Sequence, residues 1–181
     1  MTSKRELRNI TLIGFMGSGK TSVGHWLAQR THRGFIDTDH LIEMRAGKSI
    51  AKIFAENGEA VFRDLECQAV QELLTFNKMV IATGGGLGAN PDHLASLKTH
   101  SLVVCLWSSV DSIWQRVQHQ THRPLLQCPD PRARIQELLA LRGPIYKQAD
   151  VLISTELRSV REVAQQVLHQ WQLAQTVEST L

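Results

Sequence analysis

The chain has 181 residues, 43% of them hydrophobic and 20% charged, which suits one globular domain with a sizeable core. Its formal net charge of +3 is too small for a nucleic-acid footprint and suits a site that collects anionic ligands. No apolar run approaches the ~18 residues needed to cross a bilayer, and the charged start from Met1 to Asn9 has no apolar h-region. A cytoplasmic protein that needs no membrane is expected.

Ile10 to Ile13 reads as a short apolar strand. Behind it, Gly14, Gly19, Lys20 and Thr21 satisfy G-x-x-x-x-G-K-[ST] without a mismatch. Glycines let the backbone turn its N–H groups onto an anion, and the following helix N-terminus adds partial positive charge. Lys20 can reach outer phosphates, and the Thr21 hydroxyl suits the shell of a magnesium ion. Val23, Trp26 and Leu27 recur at helical spacing, with Gly34 expected to end that helix.

Phe35-Ile36 begins a second strand that runs into Asp37-Thr38-Asp39, and a helical segment follows from His40 to about Ala46. Ser49 is expected to cap a helix over Ile50 to Glu56 that stops at Asn57-Gly58. Phe62, Leu65, Ala69, Leu73 and Phe76 mark one stripe of a long helix from Glu59. Met79 to Thr83 is a third strand, ending at Gly84-Gly85-Gly86. Pro91 opens a short helix, and Leu102 to Trp107 is a fourth strand. Ser109 caps a helix carrying Ile113, Trp114 and Val117. Residues 119–131 are polar and aperiodic and read as a mobile lid. Pro131 starts a helix ending near Arg142-Gly143-Pro144, Val151 to Ile153 is a fifth strand, and a final helix from Val160 gives way to a frayed tail at about 175–181.

Strands that alternate with helices and lack polar alternation predict a parallel sheet covered on both faces, an α/β/α three-layer fold. No linker or repeat divides the chain, so 1–181 is read as a single domain. Cys67, Cys105 and Cys128 are widely separated and odd in number. Cys67 and Cys105 are expected as core thiols in a reducing compartment.

Ligands of such sheets bind beyond the carboxyl ends of the strands. Asp37 and Asp39 sit at the end of the second strand, where one carboxylate can serve the magnesium beside Thr21 and the other a second substrate. Asp39 or Thr38 could equally be a helix N-cap. The three glycines permit close backbone approach to a ligand, and they leave Asp37 as the strand-end acid available to the metal. Arg63 and Glu66 are neighbours on one helix face. They read either as a solvated ion pair, worth about 0.3–0.5 kcal/mol, or as an arginine held to grip a carboxylate or phosphate. Arg123 on the lid could close onto a transferring phosphate. His119, His122 and Cys128 match no zinc spacing.

Six motifs in order resemble the shikimate kinase family over roughly Asn9 to Leu168. They are Gly14-Phe-Met-Gly-Ser-Gly-Lys-Thr21, Asp37-Thr-Asp39, Phe62-Arg63-x-x-Glu66, Gly84-Gly-Gly86, Arg123-Pro-Leu-Leu126, and Arg142-x-x-x-Tyr146 with Ala149-Asp150. The resemblance implies a P-loop kinase fold, magnesium as cofactor, ATP and shikimate as ligands, and no nucleic-acid partner; a monomer is expected. It implies that Gly17, Ser18, Gly19, Lys20, Thr21 and Ser22 wrap the ATP phosphates, with Arg116 and Arg158 on the adenine side. Thr21 would coordinate magnesium and Asp37 would hold it through water. Asp39, Arg63, Gly85 and Arg142 would bind the acceptor, and Lys20, Asp37, Asp39 and Arg123 would form the catalytic set. A related sugar-acid kinase such as gluconate kinase is the nearest rival. A nucleoside monophosphate kinase and an inactive nucleotide-binding paralogue are the others.

Overall fold

The computed structural model describes residues 5–119, 126 and 128–180. Strands β1 (Asn9–Ile13), β2 (Gly34–Asp37), β3 (Met79–Ala82), β4 (Ser101–Trp107) and β5 (Val151–Ser154) form one parallel sheet in the order β2-β3-β1-β4-β5. Around it lie α1 (Lys20–Thr31), α2 (Thr38–Ala46), α3 (Ile50–Leu73), α4 (Pro91–His100), α5 (Val110–Val117), α6 (Pro131–Tyr146) and α7 (Val160–Thr180).

All five residues of β1 are buried, as a central strand covered on both faces requires. The two-residue period of the strand sorts its side chains between layers. Ile10 and Leu12 pack with Val23 and Leu27 of α1 and Val163 and Val167 of α7. Ile13 packs with Val70 and Leu73 of α3, Leu94 and Leu97 of α4, and Ile135 of α6. Each fully buried aliphatic side chain contributes about 1.5–3 kcal/mol, so the two layers clamp β1 from both sides. Its carboxyl end therefore emerges at a fixed place between the ends of β3 and β4. A smaller cluster, Leu41, Ile42, Ile53, Phe62 and Ala69, joins α2 to α3 beside the sheet.

The expected break at Asn57-Gly58 is present as a kink within α3, where Gly58 takes φ 80°. Other boundaries depart from expectation. The chain leaves α1 at His32, which takes the left-handed conformation expected of a glycine. Gly34 instead opens β2, where it faces the tip of the Met79 side chain. Helix α6 does not stop at Gly143-Pro144 but continues to Tyr146. An interior proline costs about 3 kcal/mol, and the complete burial of the Tyr146 side chain offsets it. The final turn closes through Lys147 N–H to the Gly143 carbonyl. Helix α7 runs through the stretch expected to fray, as far as Thr180. Trp171 anchors it in the core, and Gln175 Nε2 donates to the Leu7 carbonyl.

Cys105 is buried as expected, but Cys67 is exposed. It follows the buried Glu66 on α3 and so falls on the solvent side of that turn, with its sulfur 3.3 Å from His93 Nε2. Among the described residues no helix is long and apolar enough to cross a membrane.

Candidate active site

The turn after β1 has the backbone that an anion cradle needs. Gly14, Gly17 and Gly19 all take positive φ, a region that side-chain-bearing residues rarely adopt. Space demands glycine as well as conformation: a Cβ on Gly17 would lie 2.7 Å from Val117. Helix α1 starts at Lys20 with Gly19 as its N-cap and no capping side chain, so its first N–H groups keep their donors available. The Lys20 ammonium spans the turn and donates to the Gly14 and Phe15 carbonyls at 2.9 and 2.8 Å.

Thr21 Oγ1 donates to Asp37 Oδ2 at 2.9 Å, which joins the end of β2 to the cradle. A hydroxyl and a carboxylate side by side are hard oxygen donors of the kind magnesium takes. Among the described residues no cluster of three or more His, Cys, Asp or Glu side chains could hold a metal alone. The pair therefore suits a cation that brings further oxygens with it, as a nucleotide-bound ion does.

The N-cap of α2 is Asp37, neither Thr38 nor Asp39: its Oδ1 accepts from Asp39 N–H. The capping and functional readings of this segment coincide in one carboxylate, with one oxygen on the cap and the other on Thr21. In an extended chain residues 37 and 39 would share a side. The switch to helix at Thr38 turns Asp39 away, across the face of Gly84. The buried Thr38 hydroxyl accepts from Gly84 N–H at 2.8 Å.

The three glycines act differently from a loose turn. None has positive φ. Each is instead roofed by a different polar side chain. A Cβ on Gly84 would collide with the Asp39 carboxylate, one on Gly86 would lie 2.6 Å from Arg63 Nη1, and one on Gly85 would lie 3.5 Å from Arg142 Nη1. No acid occupies 83–86, so β3 contributes surface rather than charge.

Arg63 is held from two sides. Glu66, only 2% exposed, accepts from Nη1 at 2.7 Å, and Glu59 accepts from Nη2 at 2.6 Å and from Nε at 3.2 Å. Burial works to lower the pKa of Arg63, but the bonds to Glu66 and Glu59 outweigh it and raise the value. The pairing thus joins a partly exposed arginine to one buried and one exposed carboxylate. Arg142 projects from α6 with its guanidinium 5.7 Å from the Phe15 ring centroid. One turn on, the Tyr146 hydroxyl donates to the Gly85 carbonyl at 2.7 Å.

These groups line two adjoining clefts. A cleft of about 530 Å³ is bounded by the cradle, Asp37, Asp39, Arg116, Thr155 and Arg158. A second, of about 590 Å³, is bounded by Ile50, Phe54, Phe62, Arg63, Glu66 and Arg142. Met16, Asp39 and Gly85 belong to both. Arg116 bonds the Gly17 carbonyl, Ser108 and Thr155, locking the cradle to the end of β5. Arg158 is exposed and donates to Gln166 at 2.6 Å. Ser18 is buried and Ser22 exposed, and both line the first cleft. Arg123 and most of the expected lid, 120–125 and 127, lie outside the described residues.

Sequence reasoning missed Thr38 as a backbone pin, Glu59, and Tyr146 under the glycines. It also missed Glu156, whose carboxylate takes Ser112 Oγ and, at 2.6 Å, Ser109 N–H at the start of α5. Those bonds hold the Glu156 pKa below the ordinary value. The Arg142-x-x-x-Tyr146 spacing, one helical turn, was the available signal for Tyr146.

A parallel sheet with a phosphate cradle after its central strand, facing a second cleft with two arginines, defines a P-loop kinase of small molecules. The sequence profile described as shikimate kinase matches residues 16–172. The shikimate kinase of Thermodesulfovibrio yellowstonii is 40% identical over 92% of this chain and 96% of its own. That of a Synechococcus strain is 46% identical over 92% and 88%. A solved shikimate kinase from Acinetobacter baumannii, in complex with shikimate, superposes with a TM-score of 0.87 at 38% identity, covering 94% of this chain and 96% of that one. The chain belongs to the shikimate kinase family. A gluconokinase from Sinorhizobium meliloti, at TM-score 0.63 and 18% identity, shares the fold alone.

Proposed function

We propose that the protein, as a cytoplasmic monomer, transfers the γ-phosphoryl group of MgATP to the 3-hydroxyl of shikimate, giving shikimate 3-phosphate and ADP. The observation that carries this reading is the shared wall of the two clefts. Asp39 and Gly85 stand between a phosphate cradle and a cavity that holds two arginines beside Phe54 and Phe62. That second cavity offers cations for a carboxylate, a carboxylate for ring hydroxyls, and aromatic walls for a small ring.

Gly17 to Ser22 cradle the phosphates, and Lys20 leaves the loop carbonyls for the β- and γ-phosphates. Thr21 and Asp37, side by side at 2.9 Å, would hold a magnesium ion, Asp37 through water, and that ion would supply charge neutralisation on the phosphates. Arg116 and Arg158 flank the adenine. Arg63, Arg142 and the Gly85 N–H grip the substrate carboxylate, and Glu66 with Glu59 keeps the Arg63 fork oriented. Asp39 orients the acceptor hydroxyl and receives its proton as the new P–O bond forms and the bond to ADP breaks. Arg123 completes the charge around the transferring group. Catalysis of this kind comes mainly from positioning and preorganised charge.

The test is ADP release from MgATP with shikimate, gluconate, AMP or no acceptor in parallel. Stimulation by shikimate alone is expected. Stimulation by gluconate instead would move the chain to the sugar-acid kinases, and no stimulation at all would reject an acceptor site of this kind.

A further inference from the structure

The acceptor groups do not hold themselves in place, and one residue outside the proposed contact set touches two of them. Tyr146 is fully buried at the end of α6. Its hydroxyl donates to the Gly85 carbonyl at 2.7 Å, and Arg142, one turn earlier on the same helix face, lies against the same glycine, its Nη1 3.5 Å from where a Cβ would stand. Gly84 N–H is pinned from the opposite side by Thr38 Oγ1 at 2.8 Å. Between these pins, Gly85 N–H makes no hydrogen bond among the described residues, so it is the donor the loop keeps for a ligand. The helix also continues past an interior proline, Pro144, to bring Tyr146 to this point.

We infer that Tyr146 is a positioning residue for the acceptor carboxylate, its hydroxyl setting Arg142 and the Gly85 peptide together in one recognition unit. The inference rests on the acceptor reading given above. Removing the hydroxyl takes the donor from the Gly85 carbonyl, which frees that peptide to turn and shifts the surface against which Arg142 rests. Both then settle elsewhere while every group proposed to touch substrate is still present. The expected loss falls on carboxylate recognition, not on the nucleotide.

The experiment compares shikimate with its methyl ester, which keeps the ring hydroxyls and lacks the charge. The wild-type protein is expected to prefer shikimate strongly. In Tyr146→Phe the KM for shikimate should rise about tenfold, the yield of one hydrogen bond at about 1.4 kcal/mol per decade. The preference over the ester should shrink by the same factor, with the KM for ATP unchanged. A purely structural role would lower Tm but leave that preference intact. Tyr146 is the one tyrosine in the chain, so wild-type protein labelled with 3-fluorotyrosine gives a single ¹⁹F resonance that reports on it without any substitution. That resonance should shift on adding shikimate and stay in place with the ester. Retention of the wild-type preference by Tyr146→Phe, or a resonance indifferent to shikimate, overturns the inference. If wild-type protein fails to phosphorylate shikimate, the acceptor reading itself falls instead.

Discussion

Gly86→Ala separates geometry from backbone conformation. Gly86 has φ −71° and ψ −45°, which alanine adopts readily, so the backbone offers no objection. Loss of chain entropy in the unfolded state even favours alanine by about 0.4–1 kcal/mol. The new methyl carbon would stand 2.6 Å from Arg63 Nη1 and 3.4 Å from Glu66 Oε1, so the guanidinium must give way by roughly 1 Å to regain van der Waals contact. An exposed arginine tip would do so at little cost. Arg63 is bonded to Glu66 at 2.7 Å and Glu59 at 2.6 Å, and a move of that size takes its fork off the carboxylate position. A hydrogen bond to a charged group is worth about 1.5–3 kcal/mol, or about 10- to 150-fold in affinity. Steady-state kinetics should show the KM for shikimate rising within that range, with the KM for ATP unchanged and Tm within a few degrees of wild type. A shikimate KM within twofold of wild type would refute the argument that this glycine exists to seat Arg63.

Lys20→Met should lower kcat by about 10²–10³-fold, the usual loss on removing one preorganised charge from a transferring group. Far-UV circular dichroism should remain native, and measurable turnover at wild-type rate would contradict the role given to Lys20. At the opposite end of the sheet, His100 should make stability depend on pH. Burial, with Arg8 and Arg5 nearby, lowers its pKa below 6.5, and its Nδ1 lies 3.1 Å from Asn9 Nδ2 and 3.0 Å from Ser101 Oγ. The folded state therefore resists a proton that the unfolded chain takes up at about 6.5. Stability should be full above about pH 6.5, fall as pH drops below it, and level off below the folded pKa. Urea unfolding of His100→Gln, which keeps an amide acceptor there, should be flatter across that window, and a parallel profile would exclude His100 as the cause.

Features fixed by short-range chemistry were legible in the sequence. The cradle was, because glycine spacing, lysine and hydroxyl are all local, and the structure gives the three cradle glycines positive φ. The Ser109 cap and the break at Gly58 are local in the same sense. The misses share a different cause. Helix α6 passes Pro144 because Tyr146 has a buried place to reach, a tertiary gain that no local propensity encodes. His32, not Gly34, takes the left-handed turn, and Cys67 is exposed beside the buried Glu66, neither of which local propensity distinguishes. The glycine triplet was read for close backbone approach to a ligand, and the sequence could not show that its positions also lie under Asp39, Arg142 and Arg63. Those side chains arrive from 45 or more residues before and after the loop in two of the three cases, or 23 in the nearest.

The central place of β1 has a consequence for the order in which the molecule can assemble. The strand that carries the cradle is the first in the sequence, yet its register partners are Val80 to Ala82 on one side and Ser101 to Cys105 on the other. Closing loops of that span precedes any gain from pairing. During synthesis the first strand has no pairing partner until β3 has left the ribosome, and it keeps one open edge until β4 follows. A chain halted before β4 thus holds the whole phosphate-binding motif on a sheet framed from one side only. A ligand that binds the finished cradle accordingly favours the completed sheet over every shorter intermediate.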